Sequence, residues 1–432
     1  MRLQGILDSG RPDARHGPAV SPSTRCCNVI QRHWRVILLV SLVTFVAYLV
    51  RTDVSVAQER MVPAVGLTIV AMGAITAWAF QLTYALFQIP AGVLGERVGT
   101  RTALALALIG CSFASFITAA LPRSGATPVL IGTRILLGVA QAGVFPVAAM
   151  AMAIYVPVGE RVRGMAIIIA TSSLGAAAAP LMMAPLMARF GWRAVFALSG
   201  AIALLTCVAW LALMPKDEPR AVRPGGATLA EAKRGLRVLL GNASLRQLSL
   251  AYVLHSAVYF VFVFWFFRYL TEGRGFTILA SGVWGSLPSI AGVVFAPLVG
   301  AFADNLGRRI GSARARRRVA MTCLLTAAGC VIAGAILPSA VLAVCALSLS
   351  SGSINSAEAP FFSSATALGS SNPGTAAGLL NLMGNLGGVL SIWLVPLMSQ
   401  AWGWNGTLLF WAVVCVIAAL LWLTVDISGD LV

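Results

Sequence analysis

Short hydrophilic breaks divide this chain into apolar runs of about twenty residues, and few globular folds can accommodate such a pattern. The runs fall at about 36–57, 68–91, 102–121, 127–150, 164–187, 194–214, 247–270, 280–302, 319–337, 340–365, 375–399 and 405–425. Each is long enough to cross a hydrocarbon layer roughly 30 Å thick as a helix. An all-α membrane protein of twelve transmembrane helices is expected, six in each half. Composition agrees: 59% of the residues are apolar and 10% charged, with a mean hydropathy of +0.87, outside the range of soluble domains.

The halves also share punctuation. Gly92-Val-Leu-Gly-Glu96-Arg-Val-Gly99-Thr-Arg101 and Gly300-Ala-Phe-Ala-Asp304-Asn-Leu-Gly307-Arg-Arg309 match at Gly, acid, Gly and Arg across 208 residues. Each reads as a short loop turning the chain between two membrane helices, with Gly92 and Gly300 allowing close packing and Gly99 and Gly307 making the turn. Repetition at this period implies two pseudo-symmetric six-helix bundles, 34–214 and 247–425, meeting around one central site. Residues 215–246 are the linker, within which Thr228–Leu240 reads as a short amphipathic surface helix. Residues 1–33, with Pro12, Pro18 and Pro22 among Gly, Ser and Arg, lack helical periodicity and read as a disordered tail. Residues 426–432 form a second short tail.

Basic residues set the orientation, because Lys and Arg near helix ends are retained on the cytoplasmic side. With both termini and the linker cytoplasmic, 23 of the 31 Lys and Arg lie on that side. The net charge of +17 then follows from a basic inner face that suits anionic lipid headgroups. No motif for nucleic acid accompanies it, so none is expected as a partner. The loop 308–318, rich in Arg, reads as a topology anchor. The eight cysteines are scattered without metal-ligand spacing, so neither a metal nor a disulfide framework is expected, and no cofactor motif is visible. The first run is too long for a signal peptide and is read as helix one in a cell (inner) membrane.

Arg51 lies about fifteen residues into the first run, within the hydrocarbon depth. A guanidinium there costs on the order of 3 kcal/mol and normally faces a wet cavity and a partner. Its fork can hold a carboxylate through two parallel hydrogen bonds; the plainer alternative is an anchor snorkelling to the interface. Tyr48 and Ser55 share its helical face. Gln81, Tyr84 and Gln88 form a polar stripe through helix two, facing inward for binding or for helix–helix hydrogen bonds. In helix eleven, Asn381 and Asn385 stand one turn apart beside Gly384, Gly387 and Gly388, which allow close helix contact.

Glu358 is the one carboxylate deep within the second-half helices, on a face with Asn355 and Phe362. It has three competing functional roles: proton carrier, ion-pair partner of Arg51 in the empty site, or ligand for a cationic group. A structural hydrogen bond is the plain alternative. Removal from water favours the neutral form of a carboxylate, which suits the first role. His255, beside Tyr252 and Tyr259 on helix seven, is a second coupling candidate if it faces the cavity, and otherwise a partner for a neighbouring helix. Glu96 with Arg101 and Asp304 with Arg309 sit at helix ends, where such pairs can latch one conformation and must break for the other.

The two loop motifs, with Arg134-Ile-Leu-Leu-Gly138, resemble signatures of the major facilitator superfamily. Further segments are similar to its anion:cation symporter branch, which includes bacterial uptake systems for galactonate, glucarate and hexuronates. They are Tyr48-Leu-Val-Arg51 with Ser55-Val-Ala57, Tyr84-Ala-Leu-Phe-Gln88-Ile-Pro90-Ala-Gly92, Gly138-Val-Ala-Gln-Ala-Gly-Val-Phe-Pro146, Gly191-Trp-Arg193 and Asn381-Leu-Met-Gly-Asn385-Leu-Gly-Gly388. The resemblance implies a substrate site containing Tyr48, Arg51, Tyr84, Gln141 and Asn381. It also places Glu358 at a cavity position where a small hydroxyl residue is usual. Two departures stand out: the family's acid before the helix-one arginine is Val50 here, and its helix-four Glu is Gln141. Those acids are implicated in proton coupling, so coupling differs here or another acid has taken over.

The expectation is a secondary transporter, monomeric, importing a small organic anion such as a sugar acid, driven by protons with sodium as the other possible ion. No Gly-x-x-x-x-Gly-Lys-Ser/Thr loop is present, which disfavours ATP drive, and no catalytic constellation points to an enzyme. One rival is a proton-coupled exporter of drugs or lipophilic cations. Glu358 would suit a cation, Arg51 would repel one, and Leu174-Gly-Ala-Ala-Ala-Ala-Pro180 lacks the several glycines typical of such antiporters. The other rival is a membrane sensor that does not transport.

Overall fold

The structure, a computed structural model, describes residues 22–122, 125–157, 161–215, 241–369 and 373–426. Its helices are α1 (Pro22–Ala64), α2 (Ile69–Val98), α3 (Thr100–Ala119), α4 (Ala126–Tyr155), α5 (Arg161–Phe190) and α6 (Trp192–Leu213) in the first half. The second half has α7 (Ala243–Gly273), α8 (Ile278–Ile310), α9 (Ser312–Ile336) and α10 (Ala340–Leu368), then one hydrogen-bonded stretch, Pro373–Thr424. That stretch is broken by Gly403, at φ 66° and ψ 176°, into α11 (373–402) and α12 (404–424). Among the described residues, eleven continuous apolar helices, the last divided at Gly403, thus give twelve segments long enough to cross a membrane.

Turn chemistry carries the internal repeat. Gly66-Leu67-Thr68 and Gly275-Phe276-Thr277 each combine a left-handed Gly with a Thr that caps the next helix, accepting from Ala71 N and Ala280 N. Gly191 and Gly403, each followed by Trp, make the α5–α6 and α11–α12 turns. Gly99 turns α2 into α3 at φ 83°, as expected, but its structural counterpart is Gly311, at φ 88°. The expectation that Gly307 makes this turn is corrected: it lies inside α8, which has 33 residues against 30 in α2. The second motif is thus helical throughout, and only a glycine at 311 lets the chain reverse without Cβ strain. Gly300, expected to permit close packing, has open space where its Cβ would be.

Two boundaries also shift. Helix α1 begins at Pro22, inside the segment expected to be a tail, because a proline without an N–H is tolerated in a first helical turn. Residues 1–21 lie outside the described residues, as do 216–240 with the expected surface helix, and 427–432. Helix α7 starts at Ala243, not 247, since Asn242 caps it by accepting from Leu245 N.

Within the halves, α1 packs on α5, α3 on α6, α7 on α11 and α9 on α10; between them α5 meets α8, α2 meets α11 and α1 meets α7. In lipid these contacts depend on close backbone approach more than on hydrophobic driving force. A Cβ on Gly387 of α11 would sit 2.1 Å from the Val253 carbonyl oxygen of α7, and one on Gly73 of α2 would sit 2.7 Å from Pro396 of α11. The face carrying the Gly99 and Gly311 turns and the interdomain linker is termed the linker face, and the other the far face. Near the far face the halves are joined by Gln58 Nε2 donating to the Phe264 carbonyl at 3.1 Å and by Arg268 with Glu59 at 3.6 Å.

Gly387→Ala is expected to cost about 1–3 kcal/mol through overpacking against α7. Gly378→Ala on the same helix, where a Cβ meets nothing within 4 Å, is expected to be neutral or stabilising by up to about 1 kcal/mol. Thermal unfolding in detergent compares them, and equal midpoints would contradict the packing described.

Candidate functional site

Arg51 is held in the middle of the bundle by groups from three helices. Along α1, Thr52 and Ser55 turn their hydroxyls back onto the Tyr48 and Thr52 carbonyls, so these polar side chains are satisfied within their own helix. Arg51 is 4% exposed, and its Nε donates to Gln141 Oε1 at 3.0 Å. The Gln141 Nε2 in turn donates to the Ala47 carbonyl at 2.9 Å. The guanidinium carbon lies 4.6 Å from the Tyr48 ring centre, 4.2 Å from that of Tyr84 and 5.6 Å from that of Phe80. Aromatic faces attract a cation, each contributing about 0.5–2 kcal/mol according to how dry the site is. Phe80 and Tyr84 reach it from α2, where a π-helical segment over Ile75–Leu82 widens the turn. No carboxylate pairs with Arg51 among the described residues.

Glu358 belongs to the opposite half. It stands ten residues before the end of α10 at Leu368, and Pro360 leaves the Ser356 carbonyl beside it without a helical donor. Glu358 is exposed, although Tyr252 donates to it at 3.4 Å and Tyr48 and Tyr259 lie within electrostatic reach. Exposure at that depth, among groups from both halves, means that the side chain faces a chamber between them. Asn355 and Phe362, on the same face, are partly exposed as well. The buried cation of the first half and the exposed acid of the second thus lie among four tyrosines, of which Tyr48 and Tyr259 are partly exposed beside the chamber.

Asn381 Nδ2 donates to Gln88 Oε1 at 2.7 Å, and Gln81 Nε2 donates to Asn385 Oδ1 at 2.7 Å. The stripe on α2 and the asparagines on α11 therefore form a ladder across the halves. Gln141, expected among substrate-contacting residues, is fully buried with both amide atoms engaged; it supports Arg51 from behind. His255 is turned from the chamber: it is buried, its Nε2 lies 2.8 Å from the Ile354 carbonyl oxygen, and its ring stacks on Tyr252. The expectation of a cavity-facing coupling histidine is corrected on that ground. Glu96, Asp304 and Arg309 are exposed at the linker face, and Arg101 donates to the Leu211 carbonyl of α6.

The sequence profile described as Major Facilitator Superfamily matches residues 40–392. The chain belongs to the Major Facilitator Superfamily. It is a multi-pass membrane transporter, not an enzyme. The chain is 27% identical to the probable galactarate/D-glucarate transporter GudP of Bacillus subtilis, over 91% of this chain and 90% of that one. It is 24% identical to the D-galactonate transporter of Escherichia coli, over 90% and 94% respectively. Among solved structures, a bacterial homolog of the human lysosomal transporter Spinster, inward-facing and unoccupied, superposes with a TM-score of 0.76 at 18% identity. That match covers 93% of this chain and 98% of the other. A D-xylose-proton symporter gives 0.75 at 16%, covering 93% and 100%. These two likenesses establish the fold alone.

This facilitator also contains a buried pair that sequence reading passes over. Asp53 is 1% exposed and Arg134 3% exposed; the carboxyl lies within electrostatic reach of Arg134 and beside Ser199, inside the first half. Neither carboxyl oxygen has a hydrogen bond of normal geometry. Two residues along a helix turn a side chain by about 200°, so Asp53 points away from the side of α1 that carries Arg51. The available signal was a second ionisable residue in the same apolar run together with an arginine in helix four. Glu59 and Arg268, which join the halves near the far face, were likewise overlooked.

Gln141→Leu would leave Arg51 Nε without its partner and deprive the Ala47 carbonyl of its second donor. It is expected to destabilise the empty protein by about 1–3 kcal/mol, read as a lower unfolding midpoint in detergent; an unchanged midpoint would show that the amide does not hold the arginine.

Proposed function

We propose that this facilitator is a secondary transporter that imports a small organic anion, a sugar acid or related carboxylate, together with a proton. One observation carries the reading: a guanidinium in the middle of the membrane, beside a chamber, with no acid of its own. Such a group is strongly favoured to take a carboxylate from solution, because the pair is worth most where water is scarce. The relatives point the same way, since galactarate, D-glucarate and D-galactonate, for which they are named, are all carboxylates. Tyr48 and Tyr84 border the anchor, and Asn381, bonded to Gln88 across the halves, adds an amide; these are hydroxyl, ring and amide groups suited to a polyol.

Coupling is assigned to Glu358. The empty chamber holds one positive and one negative group; a carboxylate neutralises Arg51, and a proton neutralises Glu358. A chamber neutral in both its fully loaded and empty forms crosses between conformations without moving net charge through low dielectric. The 34–214 and 247–425 bundles rock about this site, and Glu96 with Arg101 and Asp304 with Arg309 engage when the linker face closes. The distribution of Lys and Arg supports cytoplasmic termini in a cell inner membrane, and a single chain contains the whole site. The exposure of Glu358 also favours a second reading, cation export by proton antiport, which Arg51 opposes.

Uptake by reconstituted liposomes tests these readings. Labelled carboxylate accumulating under an inward proton gradient is expected; extrusion of a cationic dye would favour the exporter, and neither activity a sensor. Arg51→Ala is expected to abolish stabilisation of the purified protein by carboxylates. Glu358→Gln is expected to keep binding but to lose accumulation driven by pH, and unchanged accumulation would remove it from the coupling role.

A further inference from the structure

We propose that the site accepts solutes with a single carboxylate and rejects the corresponding dicarboxylates. The inference rests on the reading of Arg51 as the anchor for an anion. The relatives do not decide the matter, since galactarate and D-glucarate carry two carboxylates and D-galactonate one.

The charge inventory of the chamber decides it. Among the described residues, the Asp, Glu, Lys and Arg side chains in the middle of the bundle are Arg51, Asp53, Arg134 and Glu358. Asp53 and Arg134 lie within electrostatic reach of one another in the first half and are buried there. Only Arg51 can neutralise an anion, and the one other ion facing the chamber is an acid. Arg268 is committed to Glu59 and Glu272 near the far face. Arg35, sixteen residues before Arg51 on α1, is about 24 Å away along the helix axis. Arg246, at the linker-face end of α7, donates to the Gly241 carbonyl.

A monocarboxylate on Arg51 with a protonated Glu358 leaves the chamber neutral. A dicarboxylate leaves one uncompensated negative charge even then, and two when Glu358 is ionised. Tyrosine hydroxyls and the Asn381 amide can hydrogen-bond the second carboxylate but cannot cancel its charge. Glu358 thus acts as a repulsive element, which often sets specificity more sharply than an added attraction.

The test uses the full-length protein in detergent at neutral pH, with D-galactonate and galactarate, which differ only at one terminal carbon, and gluconate and glucarate as a second pair. Each monocarboxylate is expected to stabilise the protein or bind by calorimetry at least about tenfold more tightly than its dicarboxylate, the scale expected for one like charge beside a ligand. Glu358→Gln should narrow that ratio, chiefly by improving dicarboxylate binding. Equal or tighter binding of the dicarboxylates by the unmodified protein would overturn this inference and leave the anion reading intact. No binding of either class, or equal binding of neutral galactitol that Arg51→Ala does not affect, would overturn the anion reading and this inference with it.

Discussion

The organisation of this protein depends on keeping one guanidinium charged in the centre of a membrane. Burial of Arg51 is unfavourable by several kcal/mol unless something replaces water around it. The replacement here has no negative charge: an amide from α4, two tyrosines and a phenylalanine. Each partner is polarisable or dipolar, so the arginine is solvated without being neutralised. The amide is itself held by a carbonyl one turn earlier on α1, which fixes the guanidinium plane. The result is a site whose attraction for an anion survives folding.

The two halves contribute unequally to the chamber. The first supplies the cation and the groups that hold it; the second supplies Glu358, exposed and carrying only a long hydrogen bond from Tyr252. Between them, the Gln81–Asn385 and Gln88–Asn381 bonds tie α2 to α11. Amide pairs of this kind are worth little individually in lipid, roughly 0.6 kcal/mol on average, which suits the rocking of the halves proposed above. Backbone proximity at Gly387 serves a different end, because α7 and α11 lie in the same half and pack closely along their length.

Most of the architecture was legible in the sequence, since the length of the apolar runs records the membrane directly. Residues such as Arg51, Tyr84 and Glu358 were also legible, because a polar side chain in an apolar run needs a reason to be there. Register was less accessible. The copied motif aligned Gly307 with Gly99, yet the turn comes four residues later, at Gly311, and sequence similarity alone cannot distinguish a shifted turn from an unshifted one. Orientation within a helix was similarly hidden for His255, Gln141 and Asp53. His255 and Asp53 share their helices with chamber residues, but neighbouring helices capture the side chain or cover it, and Gln141 is engaged by Arg51 and the Ala47 carbonyl. Such outcomes depend on tertiary contacts that no local pattern encodes.

The joining of the halves near the far face has a consequence for the order of events. In this arrangement Gln58, Glu59 and Arg268 stand between the far solution and Arg51. On the proposed reading of Arg51 as the anchor, a solute on that side gains nothing from its strength until Arg268 exchanges Glu59 for water. The rate of loading from there is then governed by hydration of an ion pair that the solute never touches, and affinity and speed become separately adjustable properties of one molecule.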